Sequence, residues 1–269
     1  MIRLKMHAMY DHFPELNPKD GEPFIDCFAD SHVFECDGPG KNIALLLEPR
    51  SMLGDADRYV EQHPDYFRYI FTHDSKILQY PNARELNWAD VWLTTDSPKT
   101  KGISLMTSFK NWCPLHKARL ELAEYFRADD KVDVFFGDWN NPNIPAIEAR
   151  DYLEEYKFSI IIENDIDEYW YTEKILNCFS TKTVPIYVGA SKIGERFNPL
   201  GICQIEDWKD IPAFVETLSK IGLDAIYHNT VMQEAIEDNF KRVEPYNVKW
   251  KERFFRDYGD LLEDMMHEH

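Results

Sequence analysis

The sequence predicts an α/β protein built as two Rossmann-like domains facing a cleft, with a helical C-terminus. Three observations predict it. Short apolar runs of strand length alternate with helical segments, a polar stretch bounded by Pro and Gly divides that alternation in two, and beyond residue 210 the apolar spacing becomes three and four. The 269 residues exceed the usual size of one domain and suit two modest ones.

Taken in order, Pro14, Pro18, Gly21 and Pro23 among charges mark a loop over 14–23. The apolar runs 42–47 and 68–72 read as buried strands, with a helical stretch around 55–63 between them. Asp96-Ser97-Pro98-Lys99-Thr100-Lys101-Gly102 reads as the linker, giving an N-terminal domain over 1–100 and a C-terminal domain over 101–269. Strands at 103–107, 132–136, 158–162 and 184–188 then alternate with helical segments at 114–127, 145–156 and 171–180, the pattern of a doubly wound parallel sheet. From 210 to 265 the chain is mostly helical. Trp250, Phe254, Phe255, Tyr258, Leu261 and Leu262 fall at helical spacing, so the last helix either packs back on the first domain or is an ordinary amphipathic core helix. In doubly wound sheets ligands bind beyond the carboxyl ends of the strands, which directs attention to Ser108, Gly137, Glu163-Asn164 and Gly189.

Composition narrows the function. Thirty basic against forty-eight acidic residues give a net charge of −18, which repels nucleic-acid phosphates and anionic lipid; neither nucleic acid nor a membrane surface is expected as a partner. An anionic substrate therefore needs cations gathered locally. Cys27, Cys36, Cys113, Cys178 and Cys203 are odd in number and contain no CxxC pair, which points to reduced thiols rather than a zinc site or a disulfide framework. The stretch Met1–His7 lacks an apolar signal region, and no run approaches the ~20 apolar residues of a spanning helix. A cytoplasmic protein without a transmembrane segment is expected.

The informative stretch is 157–199. A buried strand ends at Glu163-Asn164, a polar loop follows, and a helix begins near Thr172-Glu173-Lys174. A helix N-terminus offers unpaired N–H groups and a partial positive charge, which suits a diphosphate. Lys174 has the wrong sign for that dipole, which makes sense beside a bound anion; a solvated surface lysine is the plain alternative.

Glu163, Asn164, Thr172, Glu173, Lys174, Val184, Pro185 and Gly189 stand in the order and spacing of the motif of glycosyltransferase family 10, the α-1,3/4-fucosyltransferases, which this stretch closely resembles. The resemblance extends from Ser108 and the segment carrying Arg119 to Phe197-Asn198-Pro199, roughly 105–210. It implies the GT-B architecture, with an acceptor-binding first domain and a GDP-sugar-binding second one. It implies an inverting transferase that moves L-fucose from GDP-fucose to a glycan hydroxyl, with no metal or other cofactor. By the same resemblance Arg119 and Lys174 contact the diphosphate, Glu173 the ribose, and Asn164 lies close by. Carboxylates suit vicinal hydroxyls, and an arginine fork suits phosphate oxygens. Trp170 stands where the family usually has Tyr, and Tyr171 where Val or Ile is common; Trp keeps an aromatic face but replaces a hydroxyl with an indole donor at the donor-sugar contact. A transferase for another GDP-hexose and a non-catalytic nucleotide-sugar module remain alternative readings.

In the first half, Glu48 follows a run of three leucines, where the family carries a carboxylate taken as general base. Its alternative is a loop carboxylate paired with Arg50, and His73-Asp74 is the rival base unless it is a turn device. Asp55-Ala56-Asp57 and Asp165-Ile166-Asp167 have the form of the metal-holding DxD tripeptide, which an acid-rich chain produces readily by chance, so no metal ligand is assigned. P-loop, GxGxxG and HExxH motifs are absent.

Overall fold

The computed structural model describes residues 2–137 and 146–267. In chain order the strands are β1 Leu4–His7, β2 Ile25–Ala29, β3 Asn42–Leu45, β4 Tyr69–Thr72, β5 Ala83–Glu85, β6 Lys101–Thr107, β7 Val132–Phe136, β8 Tyr156–Ile162, β9 Val184–Val188 and β10 Cys203–Gln204. The helices are α1 Arg50–Gln62, α2 Pro114–Phe126, α3 Ala149–Leu153, α4 Glu173–Ser180, α5 Ile211–Ile221, α6 Leu223–Tyr227, α7 Thr230–Arg242 and α8 Trp250–His267. They fall into two compact units, Met1–Trp88 with Lys249–His269, and Ala89–Val248.

The first unit is a parallel sheet in sequential order, β1-β2-β3-β4-β5. Alternate residues of each strand feed different faces. Ala44 and Leu46 pack with Val33, Ala56, Val60 and Ile77 from the connections after β2, β3 and β4. Ile43, Leu45 and Leu47 pack instead with Phe13 and with Trp250, Phe254, Leu262 and Met265 of α8. The last helix thus packs back on the first unit, because the connections after β2, β3 and β4 leave this face open and α8 carries the apolar stripe that closes it. α1 begins earlier than the 55–63 expectation and is interrupted at Leu53, whose φ and ψ are −134° and 34°.

The second unit is also all parallel, in the order β10-β9-β8-β6-β7. Phe158, Ile160 and Ile162 of β8 share one core with α2, α5 and α7, whereas Ile161 lies in another with Leu153, Ile175, Leu176 and Phe179 from α3 and α4. β6, β8 and β9, covered on both faces, read as mainly apolar runs, while β7, at the sheet edge, is part-buried and interrupted by Asp133. The helical expectation over 145–156 begins at residue 145, outside the described residues; the observed α3 is confined to 149–153 and its capping box pairs Glu148 with Asp151.

The passage between units falls at Trp88/Ala89 rather than at the expected 100/101. The reason is a set of hydrogen bonds that ties 89–100 to the second unit. Asn177 Oδ1 accepts the N–H groups of Trp92 (2.8 Å) and Leu93 (3.2 Å), and Lys99 Nζ donates to the carbonyls of Leu153 and Glu154 at 2.8 and 2.9 Å.

On the buried face of α1, Asp57 is 2% exposed and its Oδ2 accepts no hydrogen bond among the described residues. Burial and then the Asp74 carboxylate push its pKa up to about 7. The unfolded carboxyl titrates at ~3.9, so between that pH and about 7 the unfolded chain releases this proton more readily than the folded one. Stability therefore falls as pH rises through that window and levels above it. Asp57→Asn removes the ionisation and is expected to be more stable than the parent at pH 8, on the order of 1–4 kcal/mol, with the gap closing toward pH 4. Urea unfolding at the two pH values checks this, and a gap independent of pH would remove the assignment.

Candidate active site

In the second sheet the chain leaves β6 for β7 on one side and then crosses back to β8 on the other. The two crossovers lie on opposite faces, α2 in one core and α3 in the other, which opens a crevice at the carboxyl ends of β6 and β8. Glu163-Asn164 follow β8 at that point.

Glu163 is completely buried, and its surroundings are built to hold a carboxylate. Oε1 accepts the Thr172 N–H at 2.9 Å, while Oε2 accepts the Thr172 hydroxyl at 2.7 Å and Lys174 Nζ at 3.2 Å. Thr172 is also the N-cap of α4, its hydroxyl accepting the Lys174 N–H. Lys174 Nζ further donates to Thr172 Oγ1 at 2.8 Å and to Glu173 Oε1 at 3.4 Å, so its three N–H groups have three protein acceptors. Burial alone would lower the Lys174 pKa, but Glu163 and Glu173 outweigh it and raise it. Gly189 closes the arrangement from β9: a Cβ there would lie 2.7 Å from Glu163 Cγ and closer still to Tyr187 Oη. The Lys174 cation with the wrong sign for the helix dipole is thereby explained by Glu163 beneath it, without any bound anion.

Asn164 gathers the second group. Its Oδ1 accepts Arg119 at 2.8 Å and His116 Nε2 at 3.1 Å. His116 and Arg119 stand three apart on α2 and so share a face. His116 Nδ1 accepts the Trp112 N–H at 3.2 Å, which fixes the Nε2–H tautomer. Burial, then Arg119, lowers the His116 pKa to about 4, so the ring is neutral at physiological pH. Arg119 is half-buried, and among the described residues its hydrogen-bond partner is Asn164, leaving most of the guanidinium fork uncommitted. The loop before α2 exposes Phe109 and Trp112.

Of the residues singled out in the sequence, Arg119, Asn164, Glu173 and Lys174 lie within the second unit on α2, at the end of β8 and in the first turn of α4. Trp170 is 2% exposed and in this conformation presents almost no surface to a ligand. Glu163, a motif position in the sequence, is the anchor of the structure. His116, which meets Asn164 beside Arg119, is the member of this group that the sequence does not single out; its i, i+3 spacing to Arg119 is its only signal.

In the first unit Glu48 is half-buried beyond β3. Arg50 is engaged by Asp74 and Glu61, both at 2.8 Å. Burial holds the His73 imidazole at about 4. Asp74 Oδ1 accepts the N–H groups of Lys76 and Ile77, the turn-device reading. Asp165 and Asp167 accept the N–H groups of Ile166 (2.8 Å) and Tyr169 (3.1 Å), and among the described residues no group of three or more His, Cys, Asp and Glu is placed to hold a metal. No helix among the described residues is long and apolar enough to cross a membrane.

Residues 97–231, half of the chain, match the model of glycosyltransferase family 10 (fucosyltransferase), C-terminal part. The chain belongs to this family. An alpha-(1,3)-fucosyltransferase, FucT, of Helicobacter pylori is 31% identical over 86 residues, 30% of this chain and 18% of that protein. A human 4-galactosyl-N-acetylglucosaminide 3-alpha-L-fucosyltransferase, FUT5, is 26% identical over 176 residues, 61% of this chain and 45% of that protein. The chain thus spans less than half the length of these curated relatives. An alpha1,3-fucosyltransferase solved with GDP superposes with a TM-score of 0.58 at 12% identity, covering 100% of this chain and 92% of that one. The pneumococcal O-GlcNAc transferase GtfA, solved with UDP and GlcNAc, superposes at 0.55 and 9% identity, covering 90% and 57%. The two parallel sheets and their helices are those of the GT-B fold.

The Glu163 arrangement gives a stability prediction. Lys174→Met leaves a buried carboxylate without its cation and is expected to cost about 3–5 kcal/mol. Adding Glu163→Gln to the same chain removes the orphaned charge and recovers part of that loss. Urea denaturation of the two single variants and the double variant measures the coupling, and additive losses would show that the pair is not coupled.

Proposed function

We propose that the chain transfers L-fucose from GDP-fucose to a glycan hydroxyl, as an inverting α-1,3-fucosyltransferase that needs no metal. The observation that carries the reading is the Arg119 fork, oriented by Asn164 and left largely uncommitted at the switch point of a doubly wound sheet. Family membership and the names of the relatives, with a structural neighbour solved with GDP-fucose at a TM-score of 0.54, support fucose as the sugar. The first unit binds the acceptor and supplies the base, and the second binds the nucleotide.

The acceptor hydroxyl attacks the anomeric carbon from the face opposite GDP. Its oxygen bonds to that carbon as the bond to the β-phosphate oxygen breaks, and Glu48 takes the hydroxyl proton. Arg119 receives the charge appearing on the departing diphosphate through bidentate N–H donors. Lys174 adds positive field from its seat on Glu163, and Glu173 takes the ribose hydroxyls. His116 holds Asn164, and through it Arg119, in position. The five unpaired cysteines fit a reducing compartment, and we place the reaction in the cytoplasm.

A second reading is transfer from another GDP-hexose; Trp170 in place of the family's Tyr suggests it in the sequence, but its burial keeps it from contacting a sugar in this conformation. A thermal-shift panel of GDP-fucose, GDP-mannose and UDP-sugars separates the two.

Arg119→Ala is expected to weaken GDP binding by about 1.5–3 kcal/mol in calorimetric titration. Unchanged affinity would remove the diphosphate assignment. Glu48→Gln keeps shape and loses basicity, so single-turnover transfer should fall by ~10²–10⁴ while GDP affinity holds. With EDTA throughout, the parent should still turn over and NMR should show an inverted anomer. Near-normal transfer by Glu48→Gln sinks the base assignment, and activity abolished by chelation would return Asp165 and Asp167 as ligands.

A further inference from the structure

Asp30 follows β2 with φ of 50°, in the left-handed region that side chains other than Gly enter at a cost. The conformation has a definite product. β2 and β3 pair with Ala29 opposite Leu45, so the residue after β2 lies beside the chain leaving β3. Asp30 Oδ1 accepts the N–H groups of both Leu47 (2.7 Å) and Glu48 (3.1 Å). On the other side of the same peptide, the Leu47 carbonyl accepts the Trp88 indole N–H. The Leu47–Glu48 peptide is therefore held at its C=O by Trp88 and at its N–H by Asp30. Beyond it, the Pro49 carbonyl accepts the N–H groups of Met52 (2.8 Å) and Leu53 (3.1 Å) as α1 opens.

A glycine at position 30 would relieve the backbone but leave the N–H groups of buried Leu47 and half-buried Glu48 without this acceptor. The chain instead keeps a carboxylate there, in an environment whose desolvation raises its pKa against the pull of the two N–H bonds. What the carboxylate secures is the Leu47–Glu48 peptide, hydrogen-bonded on both sides where Glu48 leaves the strand. We propose that Asp30 is a positioning residue for transfer, clamping the Leu47–Glu48 peptide with Trp88 so that the Glu48 carboxyl is presented to the acceptor hydroxyl in one place. This rests on the reading of Glu48 as the base. Misplacing a reacting group by about 1 Å costs on the order of 10²-fold in rate, so a peptide clamp of this kind has a measurable effect.

The test uses the full chain with GDP-fucose and the acceptor, measuring single-turnover transfer, GDP affinity and urea unfolding together. Asp30→Gly relieves the left-handed backbone and deletes the clamp; transfer should fall by about 10–100-fold while GDP affinity stays within about twofold. Asp30→Asn keeps an acceptor oxygen and tolerates the left-handed region, so it should restore transfer to within about threefold of the parent. Trp88→Phe deletes the indole donor, keeps the ring, and should lower transfer in the same sense should Asp30→Gly fail to fold. Normal transfer by folded Asp30→Gly or by Trp88→Phe overturns the clamp, as does Asp30→Asn impaired as deeply as Asp30→Gly. If Glu48→Gln itself transfers normally, the base assignment falls instead, and a parent chain that transfers nothing from GDP-fucose overturns both.

Discussion

A carboxylate with no exposure to water organises the second unit. Burying Glu163 is tolerable only if donors meet both oxygens and a cation stands close, and the fold supplies the Thr172 N–H, the Thr172 hydroxyl and the Lys174 ammonium. These donors come from the start of α4, so the strand end and the helix start must converge. The end of β9 must converge on them too, which is why position 189 has no room for a Cβ. The motif spacing from Glu163 through Thr172-Glu173-Lys174 to Gly189 is thus the contour of one buried charge and its neighbours. It is first of all a packing constraint.

The two sheets differ in strand order, and with it in where a crevice opens. Sequential order in the first unit produces no reversal, so nothing in its strand order opens a crevice; just beyond its strand ends Asp30, after β2, accepts the N–H of Glu48, after β3. The second unit reverses between β6 and β8 and so opens a crevice at their carboxyl ends. The first unit's order also demands α8. Ile43, Leu45 and Phe71 would otherwise face water, and the aromatic cluster of Phe13, Phe71, Trp250 and Phe254 forms where the chain's last helix covers them.

Legibility in the sequence follows burial. β7 and β9 are readable to the residue and β6 and β8 nearly so, because each is an apolar-rich run set off by a helical segment, even where Asp133 or Ser159 interrupts it. β1 and β2 are not, since Lys5, His7 and Asp26 interrupt them, and only the structure shows His7 and Asp26 paired at 2.8 Å. β10 has two residues, too few for any pattern. The linker at 96–102 has the right composition, but the buried amide of Asn177 that fastens the preceding residues to α4 has no signature in the linker itself. Glu163 and Lys174 are eleven apart in sequence with a polar loop between them, and their pairing depends on how that loop turns.

The division of labour between the two cations follows from what each one touches. Lys174 is neutralised by Glu163 and Glu173, so its removal is felt first by the fold. Arg119 is held by a neutral amide rather than a carboxylate. Asn164 Oδ1 has two lone pairs, and both are filled, one by Arg119 and one by a histidine kept uncharged by burial. The guanidinium is thereby fixed in direction while its charge is left unneutralised by that partner. In a chain of net charge −18, Arg119 thus stands apart from Lys174 as an arginine whose hydrogen-bond partner among the described residues is an amide rather than a carboxylate.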